Sequence, residues 1–251
     1  MVEHHDREGV ATFFVPDEPF AAGISASLGE GVLHHVKVRR LGIGSPVALL
    51  DGQGHRAEGT LVRLSKTSAT VEVERVITLP QLPPVHLLVP IADRDRMLWL
   101  AEKVAELGAT SWRPVLYRRS RSVKPRGEGP TFTGKLRARM ASALEQSGGA
   151  WLPATYPEAS LTRAVSALPD GVRLVLDAGG GPIMTQPLAP PVTIAIGPEG
   201  GLESDELDEF ERAGFTRVAL GGHTLRFETA AIAGLAIARG AVATVESARG
   251  D

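Results

Sequence analysis

Ile194-Ala195-Ile196-Gly197-Pro198-Glu199-Gly200-Gly201-Leu202 is an apolar run that turns into a glycine-rich loop. The apolar residues 192–196 predict a buried strand, and the acid-rich residues 205–213 behind the loop predict a helix with acids in its first turn, where the helix dipole favours them. Three glycines around Pro198 let the backbone approach a ligand closely, whereas a plain tight turn needs only one. This order predicts a binding loop at the carboxyl end of a buried strand.

Strand and helix patterns alternate on both sides of this stretch. The strand patterns cover residues 85–90, 112–117, 172–176 and 217–220. The helix patterns cover residues 97–105, with Gly108 as a left-handed cap, and residues 135–146 and 228–245. Alternation of this kind predicts an α/β fold with a mostly parallel sheet and ligands at the carboxyl ends of its strands.

A second glycine-bearing motif, Leu220-Gly221-Gly222-His223-Thr224-Leu225-Arg226-Phe227-Glu228-Thr229-Ala230, follows the last predicted strand. Arg226 stands between two apolar residues, and a cation in such a setting usually has an anionic partner. Glu228 has two interpretations at this stage. It is either part of a site, or a helix-start residue that satisfies the dipole.

The amino-terminal part of the chain has a different pattern. Residues 47–50, 59–64 and 69–76 predict short strands, and the last of them alternates regularly. The proline-rich residues 79–84 have no period and predict a linker. We therefore predict a small β domain or barrel at 1–78, a linker at 79–84 and an α/β domain at 85–251.

Several classes of protein are disfavoured by composition. The chain has 251 residues and no cysteine, which removes disulfides and thiolate metal sites and fits a cytoplasmic location. The histidine pairs His4-His5 and His34-His35 have no metal-site spacing, so we expect no metal. No signal peptide or membrane span is expected.

A third glycine run, Val175-Leu176-Asp177-Ala178-Gly179-Gly180-Gly181, resembles the cofactor loop of Rossmann-type methyltransferases. That loop needs a helix directly after it, and the prolines at 182, 187, 190 and 191 oppose one. We reject the Rossmann interpretation but expect Leu176 to line a pocket.

The net charge of -2 conceals two segments of opposite sign. Every charged residue of the segment 113–139 is basic except Glu128. Every charged residue of the segment 199–211 is acidic. The basic segment is typical of a surface that binds a polyanion, although a solvated arginine-rich loop has the same composition.

The two glycine motifs together closely resemble the ribosomal RNA small subunit methyltransferase E family of the SPOUT superfamily. Further resemblance is carried by Lys103-x-x-Glu106-Leu107-Gly108, Glu145-Gln146-Ser147-Gly148 and His35-x-x-Val38-Arg39-Arg40-Leu41. The similarity covers nearly the whole chain. It implies a PUA-like β-barrel RNA-binding domain, then a SPOUT α/β methyltransferase domain with a carboxyl-terminal trefoil knot.

The resemblance also implies the reaction and the partners. The cofactor is S-adenosylmethionine, the site lies at a homodimer interface, and N3 of one uridine in 16S ribosomal RNA of the small subunit is methylated. The residues expected to bind the cofactor are Leu176, Ile196, Gly197, Pro198, Glu199, Gly200, Gly201, Leu220, Gly221, Leu225, Thr229 and Ala230. The residues expected to bind RNA are Lys37, Arg39, Arg40, Arg118, Arg119, Arg121 and Lys124.

Two residues are expected to act in the reaction. Arg226 is expected to stabilise the uridine anion that develops when N3 loses its proton. Glu228 either orients Arg226 or accepts the proton.

Three positions depart from the family pattern. Gly149 replaces an arginine, Phe227 replaces a small residue, and Arg94 replaces a loop glycine. None of these departures changes a glycine of the two glycine motifs, so they bear on RNA contacts and on packing beside Arg226.

Other functions stay open at this point. One is a ribosome-assembly factor that binds RNA without catalysis, although such a protein does not need the glycine loops. Another is a SPOUT methyltransferase that acts on transfer RNA or on a ribose 2′-hydroxyl. A small-molecule enzyme is the weakest alternative, because it leaves the basic segment without a role.

Overall fold

The computed structural model of the chain describes residues 10–16, 18–120 and 125–249. Contacts divide the chain into two compact units, Met1–Gln81 with Leu144–Leu152, and Leu82–Ala143 with Pro153–Asp251. The division after residue 81 falls inside the predicted linker.

The segment Leu144–Leu152 packs with the first unit, although the sequence pattern assigned it to the second. Leu144 and Ala150 are buried there in a cluster with Leu50. The Trp151 indole Nε1 donates a hydrogen bond to the carbonyl of Leu79 at 2.9 Å. These partners are distant in sequence, so a pattern read along the chain does not reveal them.

In residues 10–16 and 18–81, the first unit contains five strands and one helix. They are β1 (Ala11–Phe14), β2 (Ser25–Leu28), α1 (Glu30–Val38), β3 (Pro46–Leu50), β4 (His55–Leu64) and β5 (Ala69–Thr78). The strands form one sheet in the order β1-β3-β4-β5-β2, antiparallel except for the parallel pair β1–β3. Apolar side chains of one face, among them Phe13, Leu49 and Val71, join Val36 of α1 in the core.

The predicted strands at 47–50, 59–64 and 69–76 correspond to β3, β4 and β5. Strands β1 and β2 and helix α1 were missed by the sequence prediction. The two strands have four residues each, which is too few to show a period of two against background. Helix α1 contains the His34-His35 pair, which had been considered only as a metal motif.

Strands β4 and β5 approach each other closely at Gly59. It lies at a register shift of the β4–β5 pair, and a Cβ added there would overlap the carbonyl oxygen of Glu72. We expect Gly59→Ala to lower the free energy of unfolding by about 1–3 kcal/mol, as overpacking against backbone does, measured by urea denaturation. Gly42→Ala is the control, because a Cβ there meets no atom within 4 Å. Equal stability of the two variants contradicts this account of the bulge.

The second unit alternates strands with helices. In chain order its elements are β6 (Val85–Pro90), α2 (Arg94–Glu106), β7 (Ser111–Leu116), α3 (Gly129–Ser147, whose last turn belongs to the first unit), β8 (Ala154–Thr155), β9 (Ala159–Ser160), α4 (Leu161–Ser166), β10 (Val172–Pro182), β11 (Val192–Ile196), α5 (Ser204–Arg212), β12 (Thr216–Ala219) and α6 (Phe227–Arg249). The short elements β8, β9 and α4 were not predicted, because segments of two to six residues show no period.

The sheet of this unit has the order β12-β10-β11-β6-β7-β8, with β9 also paired to β7, and each of these pairs is parallel. All five residues of β11 are buried, as the apolar run predicted. Helix α2 buries its predicted apolar face and ends before Gly108, whose φ is +68°. The predicted α/β architecture with a parallel sheet is confirmed.

The glycine run after Leu176 continues strand β10 instead of starting a helix. The strand ends at Pro182 and is followed by a single 3-10 turn, Ile183–Thr185. Its pairing with β12 shifts register between Leu176 and Gly181. The rejection of a Rossmann-type loop is therefore confirmed, and its reason is the proline-rich sequence that follows.

Within the part of the chain that the structure describes, no helix is both long and apolar enough to cross a membrane.

Candidate active site

A cleft of the second unit lies at the carboxyl ends of β10, β11 and β12. It is formed by three loops that leave these neighbouring strands. Its lining residues are Leu176, Asp177, Ala178, Ile196, Gly197, Pro198, Glu199, Gly201, Leu202, Val218, Ala219, Leu220, Gly221, His223, Thr224, Leu225, Phe227 and Ala230. Parallel strands bring their carboxyl ends to one edge of a sheet, so loops far apart in sequence meet there.

Ten of the twelve residues expected to bind the cofactor line this cleft, and Gly200 and Thr229 do not. Gly200 instead lies against the Arg119 side chain. A Cβ at Gly200 would come within 2.9 Å of the Arg119 Cδ. Thr229 is exposed in the first turn of α6. The sequence prediction missed eight residues that line the cleft, which are Asp177, Ala178, Leu202, Val218, Ala219, His223, Thr224 and Phe227.

The walls of the cleft combine apolar side chains with open backbone. Leu176, Ile196 and Val218 supply apolar surface. In the residues that the structure describes, no backbone N–H of 221–225 donates a hydrogen bond to the protein. Because backbone donors are normally paired, this loop is suited to bond a polar ligand edge. A Cβ at Gly221 would meet no atom within 4 Å, so the space beside it is open.

Arg96 of α2 connects the two glycine motifs. Its Nε donates to Glu228 Oε1 at 3.0 Å, its Nη2 donates to Glu228 Oε2, and its Nη1 donates to Glu199 Oε1. The guanidinium also lies over the Phe227 ring, 4.7 Å from the centroid. The hydrogen bond with Glu228 is the main cause that raises the pKa of Arg96. Sequence reasoning missed Arg96, because nothing in its own helix marks it as a site residue.

The start of α2 presents Arg96 in this position. Asp93 precedes the helix, and its Oδ1 accepts hydrogen bonds from the backbone N–H groups of Asp95 and Arg96 at 3.1 and 3.0 Å. This is an N-cap, which satisfies donors that the first turn leaves unpaired. The cap fixes the turn from which the Arg96 side chain extends.

Arg226 is placed differently from the expectation. Its side chain is exposed, and within the described residues it has no ion-pair or hydrogen-bond partner. The sequence predicted an anionic partner for Arg226. That prediction was wrong for Glu228, because this buried carboxylate bonds Arg96 instead. Leu225 and Phe227, its neighbours in sequence, both line the cleft. Arg226 therefore stands between two cleft residues with a guanidinium open to solvent.

The basic and acidic segments meet each other within the second unit. Arg118 forms an ion pair with Asp205, and its backbone N–H donates to Glu206 Oε1 at 2.9 Å. Arg119 donates to Glu203 Oε1 at 2.8 Å and to the carbonyl of Gly200. Two arginines expected to bind RNA thus pair with the start of α5 in this structure.

The contact with α5 also has a buried part. Glu206 is 6% exposed and accepts from the backbone of Glu203 at 2.9 Å, which completes a capping box. Burial, and secondarily the charge of Glu206, raise the pKa of the Tyr117 phenol. Tyr117 packs against Phe210 of α5. The first turn of α5 is therefore fixed firmly against the residues after β7.

The other residues expected to bind RNA lie in the first unit or outside the described residues. Lys37, Arg39 and Arg40 are exposed at the end of α1. Lys37 Nζ donates to the carbonyl of Lys66 at 3.3 Å. Arg121 and Lys124 lie outside the described residues.

The three departures from the family pattern have different surroundings. Phe227 is buried and lies beneath the Arg96 guanidinium. A Cβ at Gly149 would come within 2.9 Å of Leu144 Cδ2, so a side chain there needs Leu144 to shift. Arg94 is exposed, and its Nε lies 3.7 Å from Asp95 Oδ1. Only Phe227 contacts the cleft.

A metal site was not expected from the sequence. Among the side chains that the structure describes, no group of three His, Asp or Glu is placed to hold a metal ion.

Comparison with known proteins gives the class that this fold and site define. Residues 80–239 match the family model described as an RNA methyltransferase domain, and residues 28–74 match an RNA methyltransferase PUA domain. The predicted fold class, a PUA-like β unit followed by a SPOUT-type α/β methyltransferase unit, is confirmed.

Individual relatives narrow the class to one family. The ribosomal RNA small subunit methyltransferase E of Mycobacterium tuberculosis is 27% identical over 94% of this chain and 92% of its own length. The crystal structure of the same enzyme from Neisseria gonorrhoeae, bound to S-adenosyl methionine, has a TM-score of 0.85, with 26% identity over 93% of this chain and 98% of that one. A methyltransferase from Legionella pneumophila in complex with the same cofactor has a TM-score of 0.84, with 25% identity over 93% and 98%. This chain belongs to the ribosomal RNA small subunit methyltransferase E family.

Proposed function

We propose that the chain transfers the methyl group of S-adenosylmethionine to N3 of a uridine in 16S ribosomal RNA. The observation that carries the proposal is the cleft at the carboxyl edge of the sheet, built from both glycine motifs. A protein that only bound RNA would have no need of a cleft with open backbone donors. Membership of the family supports methyl transfer to ribosomal RNA as the reaction.

The residues of the cleft fit this cofactor. Leu176, Ile196 and Val218 offer apolar surface to an adenine ring. The backbone N–H groups of residues 221–225, which donate to no described residue, offer donors to its polar atoms. Asp177 and Glu199 also line the cleft, and their carboxylates pair with Arg217 and Arg96. When bound, the cofactor supplies an electrophilic methyl group on a sulfonium.

Arg226 is our candidate for the residue that assists the reaction. Uridine N3 is weakly acidic, so negative charge develops on the base as its proton passes to solvent. N3 then takes the methyl group, and the sulfonium leaves as a neutral thioether. A guanidinium beside the cleft stabilises this negative charge in the transition state. The exposed and unpaired state of Arg226 among the described residues leaves its donors available to an incoming base.

RNA binding is assigned to basic side chains in both units. We include Arg118 and Arg119, with Arg121 and Lys124, and Lys37, Arg39 and Arg40 after α1. Arginine and lysine contacts to phosphates make affinity fall steeply with salt. An RNA complex that is insensitive to salt contradicts this assignment.

Asp205 provides a sharper test, because it competes with phosphate for Arg118. We expect Asp205→Asn to tighten RNA binding a few fold and to steepen the log–log salt dependence by about 0.7–0.9, the value for about one additional phosphate contact. Filter binding at several salt concentrations measures both. Asp208→Asn removes the same charge from an exposed position in α5. If it has the same effect, the general charge of α5 is responsible and not the pair with Arg118.

A homodimer is part of the proposal. Helix α2 exposes Trp99, which is 48% exposed, and α6 exposes Ala236 and Gly240 beside the partly exposed Ile237. Aromatic side chains are enriched at surfaces that a second protein covers. Sedimentation equilibrium decides the matter, since a single species at the monomer mass of 26.5 kDa contradicts a dimer.

The trefoil knot is likewise proposed from the family resemblance. Helix α6 leaves β12 at the edge of the sheet and returns to contact β11, β6 and α2. We assign the knotted crossing to this return.

Transfer of labelled methyl to small ribosomal subunits from a strain that lacks the modification tests the function. Label in 3-methyluridine supports the proposal, and a ribosomal substrate implies a reaction in the cytoplasm. Label in another nucleoside, or in transfer RNA, favours a different target. Absence of both transfer and cofactor binding favours the assembly factor.

A further inference from the structure

Arg96 is the side chain that joins the two walls of the cleft. It lies on α2, distant in sequence from both glycine motifs, yet it bonds Glu199 of the first and Glu228 of the second. Glu199 lines the cleft, and Glu228 is 8% exposed. Arg96 therefore forms an ion pair with one acid of each motif.

The geometry requires arginine in particular. Both oxygens of Glu228 accept from Nε and Nη2, which leaves Nη1 for Glu199. Lysine is a point charge and cannot bond one carboxylate through two parallel donors while it bonds a second. The Phe227 ring supports the flat guanidinium from one side.

We propose that Arg96 is a positioning residue that holds the two cofactor loops in their binding geometry and engages Glu228 as a structural partner instead of a proton acceptor. The proposal rests on the proposed function of the cleft. It follows from the bonding and burial of Glu228, since one guanidinium bonds both of its oxygens and the residue is only 8% exposed. Phe227 gains a role as the platform for Arg96.

Calorimetric titration with S-adenosylmethionine, without RNA, measures the effect on the loops. We expect Arg96→Ala to weaken binding by about tenfold or more, and Arg96→Lys to recover part of the loss. Arg94→Ala is the matched control, because Arg94 is exposed in the same turn and only approaches Asp95. Unchanged affinity in Arg96→Ala, with wild-type protein that binds, overturns the proposal. Wild-type protein that does not bind the cofactor overturns the proposed function instead.

Hydrogen exchange of the protein without cofactor gives a readout independent of activity. We expect amides of residues 197–203 to exchange faster in Arg96→Ala than in Arg94→Ala, because the loop loses its bond to α2. Equal exchange in the two variants counts against the positioning role.

Glu228→Gln separates the two roles of that carboxylate. If Glu228 acts through Arg96, the Arg96→Ala and Glu228→Gln variants lose cofactor affinity to similar extents, and the double variant loses little more. If Glu228→Gln abolishes turnover while cofactor affinity stays at the wild-type value, Glu228 is the proton acceptor and the proposal is wrong.

Discussion

Arg226→Ala is expected to lower the turnover of methyl transfer by about 100-fold or more, while the dissociation constant for S-adenosylmethionine changes less than about twofold. The reason is that Arg226 neither lines the cleft nor pairs with a described residue, so its removal does not disturb the cofactor loops. Its charge matters only when the base becomes anionic. Single-turnover transfer and calorimetric titration measure the two quantities separately.

Arg212→Ala is a suitable control for the Arg226 variant. Arg212 is also exposed, at the end of α5, and its removal changes the net charge equally. We expect it to keep wild-type turnover. If turnover and cofactor affinity fall together in Arg226→Ala, Arg226 is a binding residue and the transition-state role must be abandoned.

Gly221→Val is expected to weaken cofactor binding by about 100-fold, the factor that corresponds to about 3 kcal/mol of overpacking placed on the complex alone. A Cβ at Gly221 meets no protein atom within 4 Å, so the free protein tolerates the side chain. Gly221 lines the cleft, and its branched side chain then competes with the ligand for space. Calorimetric titration measures the binding, and thermal unfolding verifies the fold.

The adjacent residue supplies the control for Gly221. A Cβ at Gly222 also meets no atom within 4 Å, but Gly222 does not line the cleft. We expect Gly222→Val to bind the cofactor at least ten times more tightly than Gly221→Val, an energy difference of about 1.4 kcal/mol. Similar loss in both variants indicates that the loop backbone, and not the filled space, is responsible.

The location of the cleft was accessible from sequence because both motifs have the same local construction. Each is an apolar strand that ends in glycines and continues toward a helix, and in a parallel sheet such ends share one edge. Leu176 was placed there on the same ground. Strand periodicity and the residue preferences of turns are local properties, so they can be recognised in the sequence before the fold is known.

The partners of charged residues were not accessible in this way. The basic segment was expected to face a polyanion. Instead, Arg118 and Arg119 pair with acids at the start of α5, at sequence separations of 87 and 84. Glu228 was expected beside Arg226, two positions away, and instead bonds Arg96 at a separation of 132. A one-dimensional charge pattern cannot specify such pairs, because any acid can neutralise any base.

The sequence by itself determined the α/β class and ten residues of the cleft, because these depend on apolar periodicity and on glycines at strand ends. The tertiary structure alone decided that residues 144–152 pack with the first unit, that Arg96 joins the two motifs, and that Arg226 is unpaired among the described residues. Local sequence patterns determine which segments form strands, helices and turns. The pairing of side chains that are distant in sequence depends on distances that exist only after the strands have assembled into one sheet.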